Sequence, residues 1–214
     1  MKVINASFEI LRPLTDDGGA GRDAIYAMIE TAGRTCYKSK SKGEPERFIR
    51  GLVKRGHEAM LEHASMTVRF IVDRAVANEI VRHRIASFAQ ESTRYCNYSL
   101  DDFDREITVI KPYFLREGTE AYDAWLKSCK AAEDAYFAML NFGLDPQEAR
   151  DVLPLSTKTE LVMTANMREW RHFFQLRAAG TTGKPHPQMV EVALPLLNEC
   201  KAYMPDLFGD IGGD

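Results

Sequence analysis

Two stretches of this chain change period without a break between them. Met66, Val68, Phe70 and Val72 alternate with Thr67, Arg69 and Ile71, and Ala75, Val76, Ile80 and Val81 then recur at helical spacing. Thr159, Leu161 and Met163 likewise share one face of an alternating run from Lys158 to Thr164, after which Met167 to Ala178 resumes helical spacing. Alternation marks a half-buried strand, and recurrence at three and four marks a helix. Each stretch is therefore a strand that passes straight into a helix.

Lys2 to Leu11 opens as a further strand, closed by Pro13 and the Asp16-Asp17-Gly18-Gly19 turn cluster, and Ile107 to Ile110 is a short one. Helices are expected over residues 22–33, from Pro45 through Val53, along Tyr122 to Met139, and from about Pro187 to Tyr203. The polar connector Lys38 to Gly43 is expected to be mobile. The aromatics on the 122–139 helix are read as core or interface. Helices outnumber strands, and the strands do not follow a βαβ rhythm. The fold class is α+β, helix-rich with a small, mostly antiparallel sheet, in place of a doubly wound parallel sheet. Gly18-Gly19-Ala20-Gly21 is not G-x-G-x-x-G and reads as a surface loop, so no Rossmann fingerprint is present.

The length of 214 residues and an apolar content of 45% suit one domain over 1–214 with a real core, ending in a Gly/Asp-rich tail, Gly209 to Asp214, expected to fray. A formal charge of −3 argues against a general nucleic-acid binder. Cys36, Cys96, Cys129 and Cys200 are far apart with no Cys-x-x-Cys pair, which suggests neither a zinc ribbon nor a disulfide frame and fits a reducing cytoplasm. The N-terminus lacks a signal-peptide apolar region, and no run approaches a membrane span. A soluble protein is expected.

Chemistry concentrates between Arg82 and Tyr95, in the run Arg-His-Arg-Ile-Ala-Ser-Phe-Ala-Gln-Glu-Ser-Thr-Arg-Tyr. Arg82, His83 and Arg84 emerge at the last turn of a helix or just past it, where cations suit the macrodipole. Consecutive helical residues point roughly 100° apart, so the three address different partners. Taken alone they could be a basic turn before a serine-rich loop. Ser87, Ser92 and Thr93 add hydroxyls and loop amides, and Arg94 adds another guanidinium fork. A phosphate is held by that mixture of bidentate arginine and backbone N–H.

Arg-His-Arg, seven residues, then Ser resembles the signature of flavin-dependent thymidylate synthases, the ThyX family; Arg82 to Arg84 with Ser92 match it, flanked by Ser87 and Arg94-Tyr95. His57-Glu58 and Glu62-His63 resemble the family's upstream segment, and Ala149 to Leu155 its Ala-Arg-x-Val-Leu-Pro block. Asn166-Met167-Arg168, Leu176-Arg177 and His186-Pro187-Gln188 follow in order. The resemblance spans about residues 30 to 200. It departs at Ala89, Gln90, Cys36 and His172, and in a long loop from Gly180 to Pro185.

The resemblance implies reductive methylation of deoxyuridine monophosphate (dUMP) to thymidylate (dTMP), with 5,10-methylenetetrahydrofolate as carbon donor and reduced FAD, re-reduced by NADPH, as hydride source. It implies a homotetramer with FAD and active sites at subunit contacts. Glu79, Arg82, Gln90, Glu91, Ser92, Thr93, Arg94, Arg150 and Arg177 are the expected dUMP residues, and Arg177 beside the uracil is the expected catalytic one. His57, Glu62, Arg82, His83, Arg84, Gln90, Asn166, Arg168 and His172 are the expected FAD residues.

The residues keep some rivals open. Arg168 also reads as a surface salt bridge and His172 as a core-edge histidine, while His57 or His63 could cap or pack. His57 and His63 are six apart, about 240° round a straight helix, so they do not chelate a metal together, and no metal is expected. Ser92 has Gln90, Glu91 and Arg94 around it instead of a histidine base, which favours hydrogen bonding over nucleophilic attack. Cys96 lies outside the motif and reads as structural. A non-catalytic nucleotide-binding module and a small serine hydrolase are the competing function classes.

Overall fold

The structure, a computed structural model, describes residues 1–13 and 18–212. In chain order the elements are β1 (Lys2–Ile4), β2 (Ser7–Arg12), α1 (Ala20–Tyr37), α2 (Pro45–Lys54), a 3-10 helix Glu58–His63, β3 (Ser65–Asp73), α3 (Arg74–Ile80), β4 (Ala86–Gln90), β5 (Thr108–Ile110), α4 (Glu120–Asn141), α5 (Pro146–Ala149), β6 (Lys158–Asn166), α6 (Met167–Arg177), α7 (Pro187–Tyr203) and α8 (Pro205–Phe208), with short 3-10 turns at Asp101–Phe103 and Arg150–Val152. The molecule is helix-rich with a small antiparallel sheet, as the periodicities indicate.

Four strands lie in the order β2-β3-β6-β4. Thr67 and Thr164 meet through their hydroxyls at 2.9 Å, and the Met167 N–H donates to the Ala64 carbonyl. At the other end of the pair the Arg74 N–H donates to the Leu155 carbonyl. Rising numbers on β3 thus face falling numbers on β6, which is the antiparallel ladder. Met66, Val68, Phe70 and Val72 on β3 and Thr159, Leu161, Met163 and Ala165 on β6 are buried, matching their alternation. Both strand-to-helix junctions are capped, Asp73 accepting from the Val76 N–H at 2.7 Å and Asn166 from the Glu169 N–H at 2.9 Å.

The chain divides into two compact units, one of Met1–Ser7, Phe70–Arg82 and Ala89–Leu161, the other of Phe8–Arg69, His83–Phe88 and Val162–Asp214. Neither is contiguous, so composition gives no boundary to read, and the sequence suggests one domain. In the first unit Tyr98, Ile107, Val109, Cys129, Tyr136 and Ala149 form a core on α4. In the second, the Trp170 indole N–H donates to the Met66 carbonyl at 2.9 Å and pins α6 to β3, while Phe173, Phe174 and Phe208 complete an aromatic cluster around it.

Three expectations are corrected. Lys2 to Leu11 is two strands, because β1 leaves to pair in parallel with β5 in register Lys2↔Thr108, so the smaller sheet is not antiparallel. Ala86 to Gln90, read as loop, is β4; apart from Phe88 its residues are small or polar, too little hydrophobic contrast to stand out. Residues 205–208 form α8, and in the tail expected to fray Ile211 is buried and Asp210 pairs with Arg171, so the described part, 209–212, is held in place. The Gly180 to Pro185 loop is shaped by Gly180, whose φ of +68° suits glycine and whose added Cβ would lie 3.0 Å from Pro185 Cδ. Asp16 and Asp17 of the expected turn cluster, and Gly213 and Asp214 of the tail, lie outside the described residues.

Candidate active site

In the second unit the site is organised by α6, which Asn166 starts. After the turn at Val81-Arg82, His83 packs at 5.0 Å from the Phe173 ring and edge-on to His172 at 5.6 Å. Only 4% of His83 is exposed. Its Nδ1 lies 2.8 Å from Glu169 Oε1, and its Nε2 lies 3.2 Å from Arg177 Nε. Arginine Nε only donates, so Nε2 is the acceptor and the ring proton sits on Nδ1, donated to Glu169. Burial, the largest influence, pushes the imidazole below the ordinary histidine range; Glu169 opposes this, and Arg177 and His172 add to it. The ring is held neutral between an anion and a cation.

Beside this line opens a cavity of about 420 Å³. Ile85 gives it an apolar wall, and Asn166, Arg168, His172 and Gln175 give it hydrogen-bonding groups. Glu58, Glu62 and Glu169 complete the lining. Arg168 donates to Glu62 at 2.6 Å and approaches Glu58 at 3.8 Å. The salt-bridge alternative for Arg168 is therefore realised at the cavity wall itself. Arg171, 3% exposed, is bound by Glu58 at 3.1 Å and by both oxygens of Asp210 at 2.7 Å. His57 does not line the cavity; it precedes the 3-10 helix, and its Nδ1 hydrogen-bonds the Tyr37 hydroxyl at 3.0 Å. Arg84 is exposed and makes no side-chain hydrogen bond or ion pair among the described residues.

His83, Glu169 and His172 place one ligand atom each within 4.8 Å of one another, a spacing a metal could use. The Arg177 guanidinium already occupies the His83 Nε2 lone pair. A cation there would displace a cation.

In the first unit the segment after β4 forms a tight turn that carries hydroxyl, amide and guanidinium groups. The Ser92 hydroxyl accepts from the Arg94 N–H at 3.3 Å, and the Ser92 carbonyl takes the Tyr95 and Cys96 N–H groups, which turns the chain sharply. The N–H groups of Ser92 and Thr93 have no hydrogen-bond partner among the described residues. Arg150 donates to the Thr93 hydroxyl at 3.4 Å, and Arg94 reaches Gln147 at 3.4 Å. Both guanidinia and two backbone donors are thus collected at one turn. Ser92 has no histidine partner among the described residues.

Two expected nucleotide ligands are engaged inside this unit. Glu91 accepts from Lys158 at 3.0 Å, from the Glu160 N–H at 3.2 Å and from the Tyr98 hydroxyl at 3.3 Å. Its carboxylate ties the turn to β6. Gln90 donates to Thr159 at 3.3 Å. Arg82 is exposed, its N–H donating to the Glu79 carbonyl, and Glu79 is half-buried. Cys96, which the sequence reads as structural, is half-buried, and burial raises its thiol pKa. The sequence misses Glu169, whose only local signal is the Asn-x-x-Glu spacing of a helix start, and it misses Gln175 and Ile85 on the cavity wall.

The sequence profile of the thymidylate synthase complementing protein family matches residues 23–206. The flavin-dependent thymidylate synthase of Geobacter sulfurreducens is 31% identical over 196 residues, covering 87% of this chain and 82% of that one. That of Mycobacteroides abscessus is 30% identical over 226 residues, covering 96% and 87%. Among solved structures, the UMP/dUMP methylase PolB of Streptomyces cacaoi bound with 5-Br dUMP superposes with a TM-score of 0.73 at 24% identity, over 98% of this chain and 96% of that one. Its complex with 5-Br UMP gives 0.75 at 20% identity, over 98% and 95%. At that identity the likeness is one of fold. The profile match from residue 23 to 206 shows that the chain belongs to the thymidylate synthase complementing protein family.

Proposed function

We propose that this chain methylates dUMP to dTMP, with 5,10-methylenetetrahydrofolate as carbon donor and FAD, re-reduced by NADPH, as the redox cofactor. The assembly is a cytoplasmic homotetramer whose sites form at subunit contacts. The carrying observation is the anion cradle at Ser92 to Arg94 with Arg150, together with Arg177 hydrogen-bonded to His83. The family match and the relatives named for this reaction support the reading.

The donor set fits a flavin. The cavity offers an apolar wall at Ile85 for a ring face and amide, imidazole and guanidinium groups at its rim, and no dinucleotide fingerprint is needed to explain it. Arg168, His172, Asn166 and Gln175 would hold the ring system, with Arg84 exposed for the diphosphate. Bound FAD supplies the hydride. The cradle arginines bind the nucleotide phosphate bidentately, and the Ser92 and Thr93 N–H groups complete its shell. Arg177 places a fixed positive charge at the uracil carbonyls, which favours the enolate-like electron distribution that makes C5 nucleophilic. Each group is supplied by whichever subunit of the assembly brings it to the nucleotide.

The test is an absorbance spectrum and a product assay on the purified protein. A yellow protein that forms dTMP from dUMP, methylenetetrahydrofolate and NADPH is the expected result. A colourless protein that binds dUMP, takes up no added FAD and forms no dTMP would instead make the cradle part of a non-catalytic nucleotide module.

A further inference from the structure

We infer that Glu169 and His83 are positioning residues for Arg177, forming a buried line, carboxylate to imidazole to guanidinium, that fixes the plane of the guanidinium through its Nε. The inference rests on the reading that Arg177 serves the uracil. An arginine side chain ordinarily carries a large store of rotamer freedom, and ordering it at the moment of reaction costs rate. Here one end of the line is an anion within a buried helix face, and the imidazole is locked by packing against Phe173 and His172. The order is therefore built into the fold before substrate arrives.

The line works in one protonation state only. Neutral His83 presents the Nε2 lone pair to Arg177. Once protonated, it would present N–H against N–H and cation against cation, and the Arg177 bond would be lost. The groups that face the ring are Glu169, His172 and Arg177 from α6, with Arg82 and Arg84 flanking it in the chain. Burial and Arg177 both hold the ring neutral, so the line is intact at neutral pH and fails on acidification, below the ordinary histidine value of 6.5.

The experiment compares wild type, Arg177→Ala, His83→Phe and His83→Gln as flavin-loaded protein. It measures dTMP turnover and dUMP affinity from acid to alkaline pH, with melting temperature and flavin content as folding controls. Phe keeps the ring volume and removes the acceptor; Gln keeps an acceptor for Arg177 and does not titrate. Arg177→Ala is expected to lose about 100-fold or more in turnover, the scale of one lost electrostatic donor. His83→Phe should lose about 10- to 100-fold at every pH, as supporting residues do elsewhere. His83→Gln should recover at least part of that loss, and its profile should lack the acid limb seen in wild type. Near-normal turnover of His83→Phe at pH 8, or an unchanged acid limb in His83→Gln, overturns the inference. If His83→Phe does not fold, the His83→Gln profile alone decides. Near-normal turnover of Arg177→Ala would instead remove Arg177 from the uracil, a separate failure.

Discussion

The side-chain oxygen of Asn166 accepts a hydrogen bond from the Glu169 N–H at 2.9 Å. A residue that lines the cavity therefore also starts the helix that carries Glu169, His172 and Arg177. The oxygen serves the helix, and on the proposed reading the amide N–H groups serve a ligand.

Those duties separate by substitution. Asn166→Asp keeps a good N-cap and adds an anion at a helix N-terminus, so stability should hold within about 0.5 kcal/mol. The same change removes the amide donor and adds negative charge to the cavity, so flavin retention should fall. Asn166→Ala should cost about 1 kcal/mol of stability as well. Thermal melts alongside flavin content of the purified variants check this, and equal flavin retention in wild type and Asn166→Asp would exclude the ligand duty.

Glu91 is expected to act on stability more than on nucleotide binding, because its three donors all come from the protein. Glu91→Ala should cost about 2–3 kcal/mol by leaving buried donors unmatched. For a chain of this size that corresponds to a melting temperature lower by roughly 5–10 °C. Glu91→Gln, which keeps an acceptor, should restore part of the stability and bind dUMP within about threefold of wild type, a ratio set by less than 1 kcal/mol. A calorimetric titration showing a tenfold loss in Glu91→Gln would show that Glu91 acts on the nucleotide.

Arg94→Ala and Arg150→Ala should each raise the Michaelis constant for dUMP by about 10- to 100-fold, the worth of a charge-assisted phosphate contact. Flavin content should not change, since neither side chain lines the cavity at Arg168 and His172. Wild-type dUMP affinity should weaken with added salt, and the weakening should be smaller in either variant. Identical salt dependence in all three proteins would exclude the cradle as the phosphate site.

Arg171 and Asp210 set an acid limit on the fold. The guanidinium, aided by its charge, holds the Asp210 carboxyl below its ordinary value of 3.8. A lowered folded-state pKa contributes stability that is complete above 3.8 and is lost as pH falls through the lowered value. Asp210 is half exposed, which screens the pair, so Asp210→Asn should cost only about 1–2 kcal/mol at neutral pH. Urea denaturation at pH 7 and at pH 3 should show the gap between wild type and Asp210→Asn closing on acidification. A constant gap would exclude the linkage.

Much of the helical and strand pattern was legible in advance, because burial of one face imposes its period on the residues: β3, β6 and α7 lie where the alternation and helical spacing place them. β4 was not, since four of its five residues at a sheet edge are small or polar and Phe88 alone carries little of that contrast. The loop at Ser92 to Arg94 was legible because its turn is local, with Ser92, Thr93 and Arg94 consecutive. The protein partners of their neighbour Glu91 were not legible, since a carboxylate's partners are decided by what packs against it, here Lys158 and Tyr98.

The sequence by itself determined the periodicities, the Arg-His-Arg and Ser92 signature and the family they resemble, because these depend on residue type and spacing along the chain. Only the tertiary structure decided what His83 does. Its partners Glu169 and Arg177 stand 86 and 94 residues away, and proton placement on its ring follows from which atoms reach it in space. A histidine's chemistry is set by burial and contact, and neither is written in its neighbours along the chain.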